Sequence, residues 1–131
     1  MPARLVEAEA PGDVATAVER ITAALRARGV TLFATIDHAA AARAAGLELP
    51  DEVVLVVGNP AGGTPLMQAD PRAGIDLPLR MLVWDDGGTT RVAHRDPVEL
   101  AEEFQLGGRT EPLGGMRGLL GQLVAAAVAP G

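Results

Sequence analysis

Four side chains are missing from this sequence: cysteine, lysine, serine and tyrosine do not occur. Without cysteine there are no disulfides, no thiolate metal sites and no thiol nucleophile. Without lysine there is no Schiff-base chemistry and no lysine to hold a phosphate. Without serine and tyrosine, threonine is the only hydroxyl nucleophile, and an internal threonine lacks the activating N-terminal amine. Aromatic residues make up 2%, and 17 acids outnumber 11 bases, all arginine, for a net charge of −6. Nucleic-acid binding needs a basic face and stacking rings, so this balance argues against it. No apolar run reaches the roughly 20 residues of a membrane helix; Leu119 to Ala129 comes nearest and is broken by Gly121 and Gln122. Met1-Pro2-Ala3-Arg4 leads into Glu7 and Glu9 with no apolar signal-peptide core, so the expected location is the cytoplasm.

What is present suffices for one core. The chain has 131 residues, 48% of them hydrophobic, and a chain of this length buries roughly two-thirds of its unfolded surface. We read 1–131 as a single domain without repeats or a linker.

Leu5 to Glu9 reads as a first strand. Asp13 then opens a helix, with Val14, Val18, Ile21 and Leu25 on one face, and Gly29 closes it. Val30 to Asp37 alternates, with Val30, Leu32, Ala34 and Ile36 expected on one buried face. Ala39 to Ala45 is a small alanine helix. Val53 to Val57 is a continuous β-branched run, expected in the sheet interior with cover on both faces. Gly58 to Gly63 reads as a loop, Thr64-Pro65 as a cap and first helical residue, and Leu66 to Ala69 as a short helix. Leu77 to Trp84 is a strand with Pro78 at or outside its edge. Asp85-Asp86-Gly87-Gly88 is a hairpin turn. Asp96-Pro97-Val98-Glu99 starts another helix. Pro112 to Ala129 is a last helix, with a Leu119/Leu123 stripe beside a Gly114/Gly118/Gly121 stripe. The order predicts an α+β fold, a mainly antiparallel sheet with helices mostly on one face.

Residues from Asp37 to Arg80 carry a further signal. Asp37-His38, Ala42, Gly46-Leu47, Leu49-Pro50, Gly58-Asn59-Pro60, Gly63-Thr64-Pro65-Leu66-Met67, Pro71 and Asp76-Leu77-Pro78-Leu79-Arg80 follow one another in an order that resembles the Domain of Unknown Function 302 family. The likeness extends over about residues 3 to 100. It implies a β-α-β4-α fold and supplies no reaction. His94 stands where such sequences often carry an aromatic residue, tyrosine in many.

Three places carry candidate chemistry. The Gly58-x4-Gly63 spacing followed by Thr64 is that of a phosphate loop lacking its lysine, which argues strongly against a nucleotide triphosphatase. Its free N–H groups at a helix start suit an anion, and Asn59, Gly63 and Thr64 are the residues expected to bind it; the plainer alternative is a tight turn and a cap. Asp37-His38 is either a helix cap followed by a first-turn residue or a proton-transfer pair with His38 as base. Arg80 either meets a ligand anion or pairs with a local acid. Asp76, if on the same strand face, lies about 13 Å away, too far to bond Arg80. Two histidines and several scattered acids lack metal-site spacing, an Asp37, His38 and Asp76 cluster being the constellation weighed, so no metal is expected, and nothing calls for a cofactor.

Three functions remain: a homodimeric module binding a small ligand or anion, an enzyme using Asp37 and His38 for proton transfer on a small acid, and a scaffold acting through its dimer surface. For the first, Asn59, Thr64 and His38 are expected to share one concave site. The dimer contact is expected on the last helix or the second sheet face.

Overall fold

A computed structural model describes residues 4–130. Met1 to Ala3, part of the N-terminal segment read above, and Gly131 lie outside them. The elements run β1 (Leu5–Ala10), α1 (Val14–Ala27), β2 (Thr31–Asp37), α2 (His38–Ala44), β3 (Glu52–Gly58), α3 (Pro60–Ala69), a 3-10 turn (Pro71–Asp76), β4 (Leu79–Asp86), β5 (Thr89–Arg95), α4 (Glu99–Glu103) and α5 (Glu111–Val128). The five strands form one antiparallel sheet in the order β1-β5-β4-β3-β2.

Local chemistry explains most ends. The Asp13 carboxylate accepts the Thr16 N–H at 2.8 Å and caps α1. Gly29, at φ +64°, ends it in the left-handed conformation that only glycine adopts without strain. The hairpin between β4 and β5 turns through Gly87 and Gly88, both at positive φ, and Asp85 Oδ1 accepts the Gly88 N–H at 2.8 Å.

The main core lies on one sheet face. Leu55, Val57, Met81, Val83 and Val92 meet Val14, Ile21 and Leu25 of α1 and Leu120 and Leu123 of α5. Because strand side chains alternate, Val54, Val56, Leu82 and Trp84 point to the other face, where they are only half-buried. β3 is interior, as its β-branched run implies, yet only one of its faces is fully covered.

β2 departs further from its pattern. It is an edge strand, and a bulge between Leu32 and Ala34 shifts its register against β3. Leu32 pairs with Val57 on the core face, whereas Ala34 and Ile36 pair with Val56 and Val54 on the open one. One extra residue reverses the sides of everything after it, so Ile36 stays 44% exposed.

A smaller core sits beside the first. Leu66, Ala73, Leu100, Leu106, Leu113 and Met116 tie α3 and α4 to the start of α5. Asp70, buried at its rim, organises the polar side of this cluster. Its carboxylate accepts the N–H and the guanidinium of Arg72 and the N–H of Gln105. These donors, Arg72 foremost, hold its pKa well below the usual carboxylate range.

Candidate functional site

The sheet opens at one end. Pairing between β4 and β5 runs from Asp86–Thr89 to Leu82–Ala93 and stops there. The start of β4 stays bonded to β3 through Leu79, and the end of β5 stays bonded to β1 through Arg95. Between them is a fork. Proline flanks it on both strands, with Pro78 before β4 and Pro97 after β5, and the Arg95 carbonyl is turned to the His94 ring.

A cavity of about 560 Å³ occupies the fork. Leu79, Leu82, Leu100 and Leu120 supply apolar wall, and the acids Asp76, Asp96, Glu99 and Glu103 line it as well. Continuing the register from Leu82–Ala93 places Arg80 opposite Arg95, both on the open sheet face. Neither is firmly held. Arg80 Nη2 stands 4.0 Å from Asp76 Oδ1, and Arg95 Nη1 stands 3.9 Å from Glu99 Oε2. Their side chains are 59% and 69% exposed. Pairs of that length on exposed groups are worth little, so both guanidiniums are available to an anion.

His94 reaches the same cavity from the core side and is buried. Its Nδ1–H donates to the Arg95 carbonyl at 2.8 Å. A carbonyl only accepts, so Nε2 is the ring's proton-accepting atom. Glu99 is buried nearby. Among the described residues its Oε1 has no hydrogen-bond partner, and Arg4 Nε at 3.7 Å compensates it by charge alone.

The residues singled out from the sequence divide between two places. His38 and Arg80 line the fork. Asn59, Gly63 and Thr64 line a second cavity of about 360 Å³, together with Phe33, Met67 and Leu77. The expected shared site of Asn59, Thr64 and His38 is therefore not formed. Asp76 also differs from expectation: it ends the 3-10 turn instead of lying in β4, and so approaches Arg80.

The glycine segment is corrected as well. Thr64 is not a cap, and Gly62 and Gly63 are not loop. The helix begins five residues earlier, with Asn59 as cap and Pro60 in the first position, and Pro65 falls inside it. Asn59-Pro60 carries the same cap-then-proline signature as Thr64-Pro65, which is why the sequence admits both. Its first-turn donors are already used. Asn59 Oδ1 accepts the Ala61 N–H at 3.0 Å, and the Asn59 carbonyl accepts those of Gly62 and Gly63. Pro60 has none. The open N–H cradle expected there for an anion is absent.

The Asp37 carboxylate caps α2 by accepting the Ala40 N–H at 2.9 Å. The cap reading of Asp37-His38 is the one the geometry shows. His94 and Arg95 were not expected in a site. Nothing local in the sequence points to them, because the opening between β4 and β5 is a matter of strand pairing.

The family model described as a domain of unknown function, DUF302, matches residues 6–121. The chain belongs to the DUF302 family. The match runs into α5 and so takes in the second cavity and all of the fork's lining except Leu5. A DUF302 protein from Bacillus stearothermophilus, solved as a crystal structure of an uncharacterized conserved protein, superposes with a TM-score of 0.84 at 17% sequence identity. The alignment covers 96% of this chain and 99% of that one, and shows the shared fold. Two Brucella proteins, each named fluoride-specific ion channel FluC 1, are 41% identical to it over 104 residues, 79% of this chain. That segment is 41% of the Brucella suis protein and 38% of the Brucella abortus protein, so the chain spans about two-fifths of these relatives. Among the described residues no helix is long and apolar enough to cross a membrane.

Proposed function

We propose that this DUF302 domain is a cytoplasmic homodimer that binds a small organic anion in the β4/β5 fork. The observation that carries this reading is the pair Arg80 and Arg95, each tied only by an ion pair of about 4 Å, on a cavity that leucines line together with the carboxylates of Asp76, Asp96, Glu99 and Glu103. Two guanidinium forks suit a carboxylate or phosphate, and the leucines suit its carbon body. Binding is favoured over catalysis because Asp37 is occupied as a cap and the usual nucleophiles are missing from the chain. Fluoride, the ion in the names of the Brucella relatives, belongs among the probes, but the cavity is far larger than a monatomic ion needs.

The open sheet face supports the dimer. Ile36, Val54, Val56, Leu82 and Trp84 leave it partly bare, and Val56 lies across from Arg80. A second copy seated there would adjoin the mouth of the fork. An interface of about 1,000 Å² or more in total is what a stable pair needs, and a two-fold arrangement is the commonest.

Calorimetric and NMR titration with acetate, inorganic phosphate and fluoride tests the site. Binding of an anion that disappears in the Arg80→Gln/Arg95→Gln variant, with melting unchanged, supports the fork. Equal binding by that variant refutes it. Light scattering at micromolar concentration tests the dimer: a mass near 13.4 kDa rules it out, and a folded monomer produced by Val56→Asp locates its surface.

A further inference from the structure

The second cavity differs in chemistry from the fork. Of its lining, only Asn59 and Thr64 bear polar side chains, and the Asn59 oxygen is spent on its cap. The Asn59 amide N–H groups and the Thr64 hydroxyl are the polar side-chain groups left to water there, so most of the wall is hydrocarbon. Glycine keeps the space clear. A Cβ on Gly63 would lie 3.7 Å from Leu77 Cδ1 and 3.9 Å from Met67 Cε, and one on Gly58 would lie 3.5 Å from Pro78 Cβ. These are ordinary contact distances, so larger side chains there enter the hollow before they strain the backbone.

One residue is common to the two cavities. Leu79 lines both, and the consecutive residues Leu119 and Leu120 of α5 line one each. On one side of Leu79 stand two loosely held guanidiniums, on the other a nearly pure hydrocarbon wall.

We infer that the fork and the apolar cavity are the head and tail compartments of one site, and that its ligand is an aliphatic carboxylic acid. The carboxylate sits between Arg80 and Arg95, and the chain passes Leu79 towards Met67 and Leu77. This rests on the anion reading of the fork and adds to it the ligand's class.

Titration of the whole chain with acetate, hexanoate and decanoate, followed by NMR shifts and calorimetry, tests it. Each methylene buried strengthens binding by roughly fourfold. Decanoate is therefore expected to bind at least about tenfold tighter than hexanoate. Gly63→Leu fills the tail compartment and is expected to remove that advantage while acetate binding stays as before. Should Gly63→Leu not fold, Gly58→Val fills the same space from β3. Arg80→Gln/Arg95→Gln is expected to weaken all three acids. Affinity that does not rise with chain length, with acetate still lost in the arginine variant, overturns the tail compartment and leaves the anion site standing. Decanoate binding abolished by Gly63→Leu but indifferent to the arginines overturns the joined site. Failure of all three acids overturns the aliphatic-acid site, and failure of inorganic phosphate as well overturns the anion reading of the fork.

Discussion

Replacing Asn59 by alanine separates a capping role from a ligand-binding one. The substitution removes one hydrogen bond, from the Ala61 N–H to Asn59 Oδ1 at 3.0 Å, and leaves that first-turn donor to water. Loss of an N-cap of this kind costs about 1 kcal/mol. α3 has little to spare, because Gly62, Gly63 and Pro65 lie within its ten residues and all three are poor helix formers. For a domain of this length, about 1 kcal/mol corresponds to a fall in Tm of roughly 3 to 5 °C. Asn59→Asp restores the acceptor and adds a negative charge at a helix N-terminus, where the dipole favours it. Its Tm is expected at or above that of the parent. Since Asn59 does not line the fork, acetate titration should give the same Kd for all three proteins. Thermal melts followed by circular dichroism, with the titration alongside, read both quantities. An Asn59→Ala protein with unchanged Tm and lost acetate binding would refute the capping argument.

Asp70→Asn is expected to destabilise the domain at pH 7 and less so at pH 2.5. The folded pKa of Asp70 is lowered, so its contribution is present above the unfolded carboxylate value, near 4, and fades as the pH falls through the folded value; urea titrations at the two pH values show it. Gly118 faces open space on α5, where an added Cβ would meet nothing within 4 Å, so Gly118→Ala should raise stability by about 0.5 to 1 kcal/mol. A lower Tm would mean that a partner packs on that stripe. Leu55→Ala hollows the main core at a fully buried position of β3 and should cost about 2 to 5 kcal/mol, read as a lower urea midpoint at unchanged slope.

Much of the fold is legible because its signals are local. The α1 face of Val14, Ile21 and Leu25, the Asp13 cap, the Gly29 stop, the Gly87-Gly88 hairpin and the span of α5 each depend on residues a few positions apart. The start of α3 is ambiguous for an equally local reason, since Asn59-Pro60 and Thr64-Pro65 are rival caps and only packing chooses between them. The candidate site is less legible. Arg80 and His38 stand out by residue type, but the partner of Arg80 in the fork, Arg95, lies fifteen residues along the chain on another strand.

By itself, the sequence determined the order of the strands and main helices, the interior place of β3 and the absence of cysteine, lysine, serine and tyrosine chemistry, but not the 3-10 turn at Pro71–Asp76 or the start of α3. Propensity, capping and hydrophobic period act within one or two turns, and a residue inventory needs no coordinates. Tertiary structure alone decided which face of the sheet the helices leave open, that the bulge after Leu32 turns Ile36 away from the core, that β4 and β5 part before Arg80 can pair with Arg95, and that Leu79 stands between a charged cavity and an apolar one. Those features arise from strand register and from the competition of distant segments for the same surface, and a pattern read along one segment contains neither.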